Sequence, residues 1–327
     1  MALFSNKLLV LALAAGSVLA APAAQAAAYP EHAIRVIVPF APGGSTDIVA
    51  RIVTQRMSQL MGQTLVVENR GGAGGAIGAA EAARAKPDGY TLSIATVSTM
   101  AVNAACRPHD LTYNPLTDFL PITNFANVPN VIEVNPKFPA KDFKEFVAVL
   151  KKNPGKYSFG SSGTCGVLHL FGEAFKMATG TDIVHVPYKG SGPAVTDAVG
   201  GQIEILFDNM PSSMPQILAG HLRAMAIAWP ERLSALKDVP TLAEVGYPQL
   251  NQPAWYGLLA PKGTPVEIIN KLHDAAVMAL KDPKVIDALE KQGAKPSGNT
   301  PAEFAKEIKE QYDWAKDVVA KGHISLK

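Results

Sequence analysis

From Ile34 onward the chain alternates short β-branched runs with longer stretches of helical period, and this alternation constrains its fold more than any other feature. Ile34-Arg35-Val36-Ile37-Val38 reads as a strand that stops at Pro39. From Asp47 on, Ile48, Val49, Ile52, Val53, Met57, Leu60 and Met61 recur on one face of a helix. Residues 65–68 form a second strand, 76–85 a second helix and 91–95 a third strand. Successive strands joined by helices need crossovers, which yield a parallel sheet with helices on both faces.

An irregular stretch rich in Pro and Asn, 107–139, precedes a second series. It predicts helices at 142–152, 168–179 and 193–199, with strands at 157–159, 183–186, 203–207 and 222–228. A short strand at 255–260 and helices at 265–280, 283–291 and 301–320 complete the chain; Phe304, Ile308, Tyr312, Ala315 and Val319 give the last helix its inward stripe. The length of 327 residues exceeds what one core usually serves, so an α/β protein of two lobes is expected. The terminal helices have no sheet of their own and should pack back on the first lobe. Lobe 1 is then 27–126 plus 254–327 and lobe 2 is 127–253, with two crossings near 125–130 and 250–255. Two crossings make a hinge, and the cleft between the lobes is where a ligand is expected.

Residues 1–26 are set apart. Lys7 is their one charge, Leu8 to Leu19 is apolar, and Ala24-Gln25-Ala26 has the form of a signal cleavage site. The apolar run is shorter than the ~20 residues of a membrane span. Cleavage after Ala26 predicts an exported, periplasmic protein. Lys and Arg number 30 against 28 Asp and Glu, so no basic field points to nucleic acid. The histidines lack ligand spacing, and no metal or cofactor is expected. Cys106 and Cys165, one in each lobe, are expected as free thiols, with a bridge that would lock the lobes together as the alternative.

The strand-to-helix loops carry the chemistry. Pro39-Phe40-Ala41-Pro42-Gly43-Gly44-Ser45-Thr46-Asp47 opens the first helix with glycines and with Ser45 or Thr46 as a cap. A helix start offers unpaired N–H groups and a dipole that favour an anion. The loop is not a phosphate-binding loop of the Walker type, because no Lys-Ser or Lys-Thr follows the glycines. Gly160-Ser161-Ser162-Gly163-Thr164-Cys165-Gly166 repeats the arrangement in lobe 2. Two such loops facing one cleft suit a small molecule with anionic groups at both ends. Val186 to Pro193 is a third loop of this kind, where Tyr188 could wall the cleft and Lys189 attract an anion, or stand as a surface charge. Gly71 to Gly75 reads as a backbone-permissive loop. Asp208, at a strand end, could accept from a ligand ammonium or cap the next turn. Ser161, Ser162, His169 and Asp208 supply the residue types of a hydrolase triad, but G-x-S-x-G is not matched because position 164 is Thr.

Several of these segments also occur together in one family. Ile34 to Asp47, Val67 to Gly75, Pro87 to Leu92, Val186 to Gly190, Val239 to Glu244, Trp255-Tyr256-Gly257 and Ala260 to Pro265 resemble the Bug-type (TctC-like) periplasmic solute-binding proteins of tripartite tricarboxylate transporters. The resemblance spans essentially the whole chain after residue 26. It implies a two-lobed Venus-flytrap fold of type II-like form, each lobe a mainly parallel sheet flanked by helices, that closes on a carboxylated solute. It implies binding rather than catalysis, and a monomer that delivers a dicarboxylate or an acidic amino acid to membrane subunits. A ligand-presenting sensor for a membrane receptor is the alternative, an exported serine hydrolase a remoter one. By position the family's ligand contacts fall on Phe40, Ala41, Gly43, Gly44, Thr46, Asp47, Ser161, Gly163 and Thr164, with Thr96 and Asp208 as further liners. Thr164-Cys165 departs from the smaller residues common in the family, so the ligand need not be a tricarboxylate.

Overall fold

The alternation is present and is divided between two sheets. The structure, a computed structural model, describes residues 29–322, so the expected signal peptide lies outside the described residues. The chain first builds β1 (Ile34–Val38), α1 (Ser45–Met61), β2 (Leu65–Asn69), α2 (Ala76–Ala83), β3 (Thr91–Thr96), α3 (Asn103–Cys106) and β4 (Phe119–Val128). It continues with β5 (Asn130–Val134), α4 (Phe143–Lys152), β6 (Ser158–Ser161), α5 (Val167–Thr179), β7 (Val184–Pro187) and α6 (Ser191–Gly200). Next come β8 (Ile205–Asn209), α7 (Met210–Leu218) and β9 (Arg223–Ala228). The last part is β10 (Ala254–Pro261), α8 (Val266–Leu280), α9 (Pro283–Lys291), β11 (Lys295–Pro296) and α10 (Pro301–Gly322).

The six-stranded sheet has the order β11-β4-β10-β3-β1-β2, and the five-stranded sheet β7-β6-β8-β5-β9. Both are flanked by helices, as an α/β class requires. Among the described strands, parallel ladders occur in β2-β1-β3 and β7-β6-β8. The sheets are therefore mixed rather than mainly parallel: β4 and β5, which carry the chain from one sheet to the other, and the returning β10 pair antiparallel with their neighbours.

The stretch read as irregular, 107–139, holds β4 and β5. Its apolar residues Phe119, Ile122, Phe125 and Val128 recur every third position, which hides a strand. The reason is geometric. Register shifts between β4 and β10 leave Ile122 and Phe125 without opposite partners, and these extra residues turn inward to be fully buried. The terminal helix packs back on the first sheet, with Phe304 edge-on to Trp255 at 5.2 Å. Phe159, Phe171 and Phe175 crowd around Phe207 beneath the second sheet.

Cys106 and Cys165 are not free thiols. They form a disulfide between Cα atoms 5.9 Å apart. Cys106 ends α3, shortly after β3, and Cys165 follows β6; both lie beyond the carboxyl ends of their strands, where the two halves face each other. Linear spacing carries no sign of that proximity. The bridge closes a 59-residue separation, so chain entropy predicts that Cys106→Ser, or reduction, lowers unfolding free energy by about 4 kcal/mol. Denaturant titration with and without a dithiol reductant checks this.

Candidate functional site

Four helices begin at the cleft, and their starts are built alike. The residues before α1, α5, α6 and α7 are Gly44, Gly166, Gly190 and Asn209, and none supplies a side-chain cap. α4 and α9 are different: Asp142 accepts the Glu145 N–H and Asp282 the Lys284 N–H. First-turn N–H groups have no partner within their helix and carry partial positive charge; at α5 and α7 a serine of the other lobe takes one of them, Ser98 the Val167 N–H and Ser45 the Ser212 N–H. The expectation that Ser45 or Thr46 caps α1 is corrected, because Gly44 holds the cap position and Ser45 is turned to the other lobe. Its Oγ donates to the Asn209 carbonyl at 2.8 Å, accepts the Ser212 N–H at 2.9 Å and lies 2.6 Å from Ser212 Oγ.

Between these helix starts lies a small cavity of about 10 Å³, room for about one water molecule. From the first lobe, Phe40, Gly44, Ser45, Thr46, Thr96, Val97, Ser98, Ala254 and Tyr256 line it; Ser162, Val167, Ser191 and Asn209 come from the second. No charged side chain is on this wall. Tyr256 donates to Asn209 Oδ1 at 2.7 Å, and Asn209 Nδ2 donates to Asn130 Oδ1 at 2.5 Å, so the wall is tied to the crossing segment.

The lobes meet backbone to backbone at the rims. The Ala41 N–H donates to the Lys189 carbonyl at 2.9 Å, and the Val167 N–H to Ser98 Oγ at 2.9 Å. A Cβ on Gly192 would lie 2.3 Å from the Pro42 carbonyl oxygen, and one on Gly74 2.6 Å from that of Thr164. Such distances are closed to any other residue without moving backbone. The Gly71 to Gly75 loop is thus a contact surface between the lobes.

Of the residues singled out in the sequence, the structure brings Phe40, Gly44, Thr46 and Thr96 to the cavity wall. Ala41, Gly43, Asp47, Ser161, Gly163, Thr164 and Asp208 stand behind it. Asp47 accepts the Gly43 N–H, Arg51 Nε and Asn69 Nδ2, and so braces the loop. Burial alone would raise its pKa, but these donors hold it below the ordinary carboxylate value. Ser161 is fully buried, its Oγ 2.7 Å from His185 Nε2. The Gly163 N–H donates to Ser161 Oγ at 3.2 Å, and Thr164 faces Gly74 with its carbonyl. Asp208, also fully buried, accepts from the hydroxyls of Ser191, Ser212 and Ser213. Tyr188 donates to Asp197 at 2.7 Å away from the cavity, and the exposed Lys189 contributes its carbonyl.

The triad residue types are not assembled: His169 Nδ1 accepts the Cys165 N–H, and Ser161 pairs with His185. Among the described residues no group of three or more His, Cys, Asp or Glu could hold a metal. Ser45, Ser98, Ser162, Ser191, Asn209 and Tyr256 were missed. For Ser191 and Asn209 a signal existed, since each stands where a strand pattern gives way to a helix opened by Gly or Pro.

The family model described as "Tripartite tricarboxylate transporter family receptor" matches residues 49–323. Protein BugT of Bordetella pertussis is 40% identical over 274 residues, 84% of this chain and 84% of its own. A solved structure described as a periplasmic transporter is 79% identical and has a TM-score of 0.91, covering 92% of this chain and 100% of its own. MatC from Rhodopseudomonas palustris, solved with bound malate, is 34% identical with a TM-score of 0.85, covering 89% of this chain and 100% of its own.

Two outcomes follow from this geometry. Gly192→Ala should hold the lobes apart at the Pro42 rim, giving a larger radius of gyration by small-angle scattering than the parent. The stacked His169 and His185, 3.7 Å apart, have pKa values lowered to about 4 and about 3, chiefly by burial. The unfolded chain protonates them near 6.5 while the folded pair stays neutral. Stability should therefore fall as pH drops from 6.5 toward 4, and His169→Gln with His185→Gln should remove that part of the slope in denaturant titrations.

Proposed function

The chain belongs to the tripartite tricarboxylate transporter receptor family, and from that premise we propose that it captures a small dicarboxylate in the interlobe cleft and delivers it to the membrane subunits of a transporter. Members of the family are periplasmic binding proteins, and export to the periplasm is part of this reading. The observation that carries it is the wall itself: the starts of α1 and α6 without side-chain caps, serine hydroxyls and no charged side chain. Neutral donors at helix starts hold carboxylates without a counter-charge.

The same wall argues for a plain diacid over an acidic amino acid. An ammonium group there would meet no carboxylate, since Asp208 sits beneath the wall with its oxygens already engaged by three serines. An unpaired ammonium away from water is costly. The malate held by MatC supports a diacid of about this size. Such a ligand is much larger than the cavity as it stands, so entry needs the Ala41–Lys189 rim to part while the disulfide keeps its own edge together. Capture is thus a clamp-like motion in which the rim parts to admit the ligand and then closes on it.

Calorimetry with L-malate, succinate, L-aspartate and L-glutamate tests the reading. Malate or succinate should bind at least about tenfold more tightly than either amino acid, and Ser191→Ala should weaken that binding by about tenfold through loss of one hydrogen bond. Tighter binding of the amino acids contradicts the diacid preference, and no binding by any of the four contradicts carboxylate capture.

A further inference from the structure

Under the cavity lie two carboxyl groups that the proposed capture does not use. Asp208 on β8 stands opposite Val131 of β5, so Glu133, two residues further along, is its diagonal neighbour on the same face. Both are fully buried. Ser213 Oγ lies 2.6 Å from Glu133 Oε1 and 2.9 Å from Asp208 Oδ2. One hydroxyl has one proton and can donate to only one of them. The other contact is a hydrogen bond only if that carboxyl carries a proton of its own. Glu133 Oε2 has no hydrogen-bond partner, which suits a neutral carboxyl and not a buried carboxylate.

The groups around the pair leave it without a counter-charge. Tyr256 on β10 faces Asp208 as a neutral phenol. On α1, Asp47 is held by Arg51, and on α6, Asp197 accepts from Tyr188. Arg223 on β9 donates to the Ala140 carbonyl. His169 and His185, from α5 and β7, are neutral above about pH 4, Glu173 on α5 is paired with Lys176, and α7 presents Ser212 and Ser213. Burial and the pair's mutual repulsion raise Glu133 well above the ordinary carboxylate value. Burial likewise raises Asp208, against the opposing pull of its serine donors.

The pair also reaches the cavity. Ser191 is on the wall, and its Oγ donates to Asp208 Oδ1. Ser212 donates to Asp208 Oδ2 and touches Ser45, also on the wall. A ligand carboxylate that takes the Ser191 proton as its hydrogen bond removes a donor from Asp208 and places a second negative charge beside it. Both effects make Asp208 more basic. We propose that Asp208 and Glu133 hold a proton between them and that anion capture in the cavity above is linked, through Ser191, to proton uptake by this pair. This rests on the carboxylate reading of the cavity, and it makes Asp208 a positioning residue and not a ligand contact.

The sign follows. Where the unliganded pair is losing its proton, the liganded pair keeps it, so affinity weakens as pH rises, by up to about tenfold per pH unit for one proton. Malate calorimetry between about pH 6 and pH 9, above the range where malate itself titrates, in two buffers of different ionisation enthalpy, reads both slope and proton count. Weakening with pH and uptake of up to one proton are expected. Asp208→Asn should flatten the profile, and Ser191→Ala, which keeps both carboxyl groups but removes the hydroxyl between ligand and Asp208, should make it shallower. Malate binding with a flat profile and no uptake overturns the linkage while leaving capture standing. No binding by malate, succinate, aspartate or glutamate overturns the carboxylate reading and the linkage together. The shared proton has its own readout: infrared spectra of ligand-free protein should show a protonated carboxyl C=O stretch that Glu133→Gln or Asp208→Asn alters. Its absence overturns the proton assignment.

Discussion

The proposed capture depends on one constraint: an anion must be held where no cationic side chain lines the wall. The wall answers with geometry. Four helices start at the cleft: α1 and α6 without a side-chain cap, α5 and α7 with a first-turn N–H held by Ser98 and Ser45, although α4 and α9 elsewhere in the chain have aspartate caps. A cap would use up the N–H groups a ligand needs. The glycines before α1 and α6 therefore do more than turn the chain, since neither supplies a side-chain cap. The near-balance of charge in the sequence, 30 basic against 28 acidic residues, fits a protein that binds anions without a basic patch.

A second consequence is that the lobes must come together by backbone. Gly192 against Pro42, Gly74 against Thr164, and Ala41 against Lys189 set how far the cleft can close. The Cys106–Cys165 bridge adds a covalent tie on another edge, between α3 and the start of α5. In the proposed capture, the bridge and the two crossing segments would confine opening to motions that pivot near that edge. The Ser45–Ser212 contact lies between these boundaries and connects the clamp to the acid pair beneath.

Much of the fold was legible because its period is local. β1, α1, β2, α2 and β3 follow from residue spacing alone, as does the inward stripe of α10. β4 was not, because bulges at Ile122 and Phe125 convert a strand's alternation into a threefold spacing. α7 was obscured by Pro211 and Pro215. The site was legible at the level of loops. The Pro39–Asp47 and Gly160–Gly166 segments do face the cleft, but which side chains face inward depends on tertiary contacts. Ser45 and Ser162 lie on the wall while Ala41 and Ser161 are spent on structure. Asp208 was read as facing a ligand because it ends a strand, whereas three serines from two helices enclose it. The disulfide had no linear signature at all.

The central claim is that helix starts, and not charged side chains, hold the ligand. Amide chemical shifts during a malate titration of nitrogen-15-labelled protein test it most directly. The account predicts that the largest shifts fall on first-turn amides of α1 and α6, at Thr46 and Gly192. Largest shifts beside an exposed cation such as Lys189 would contradict it.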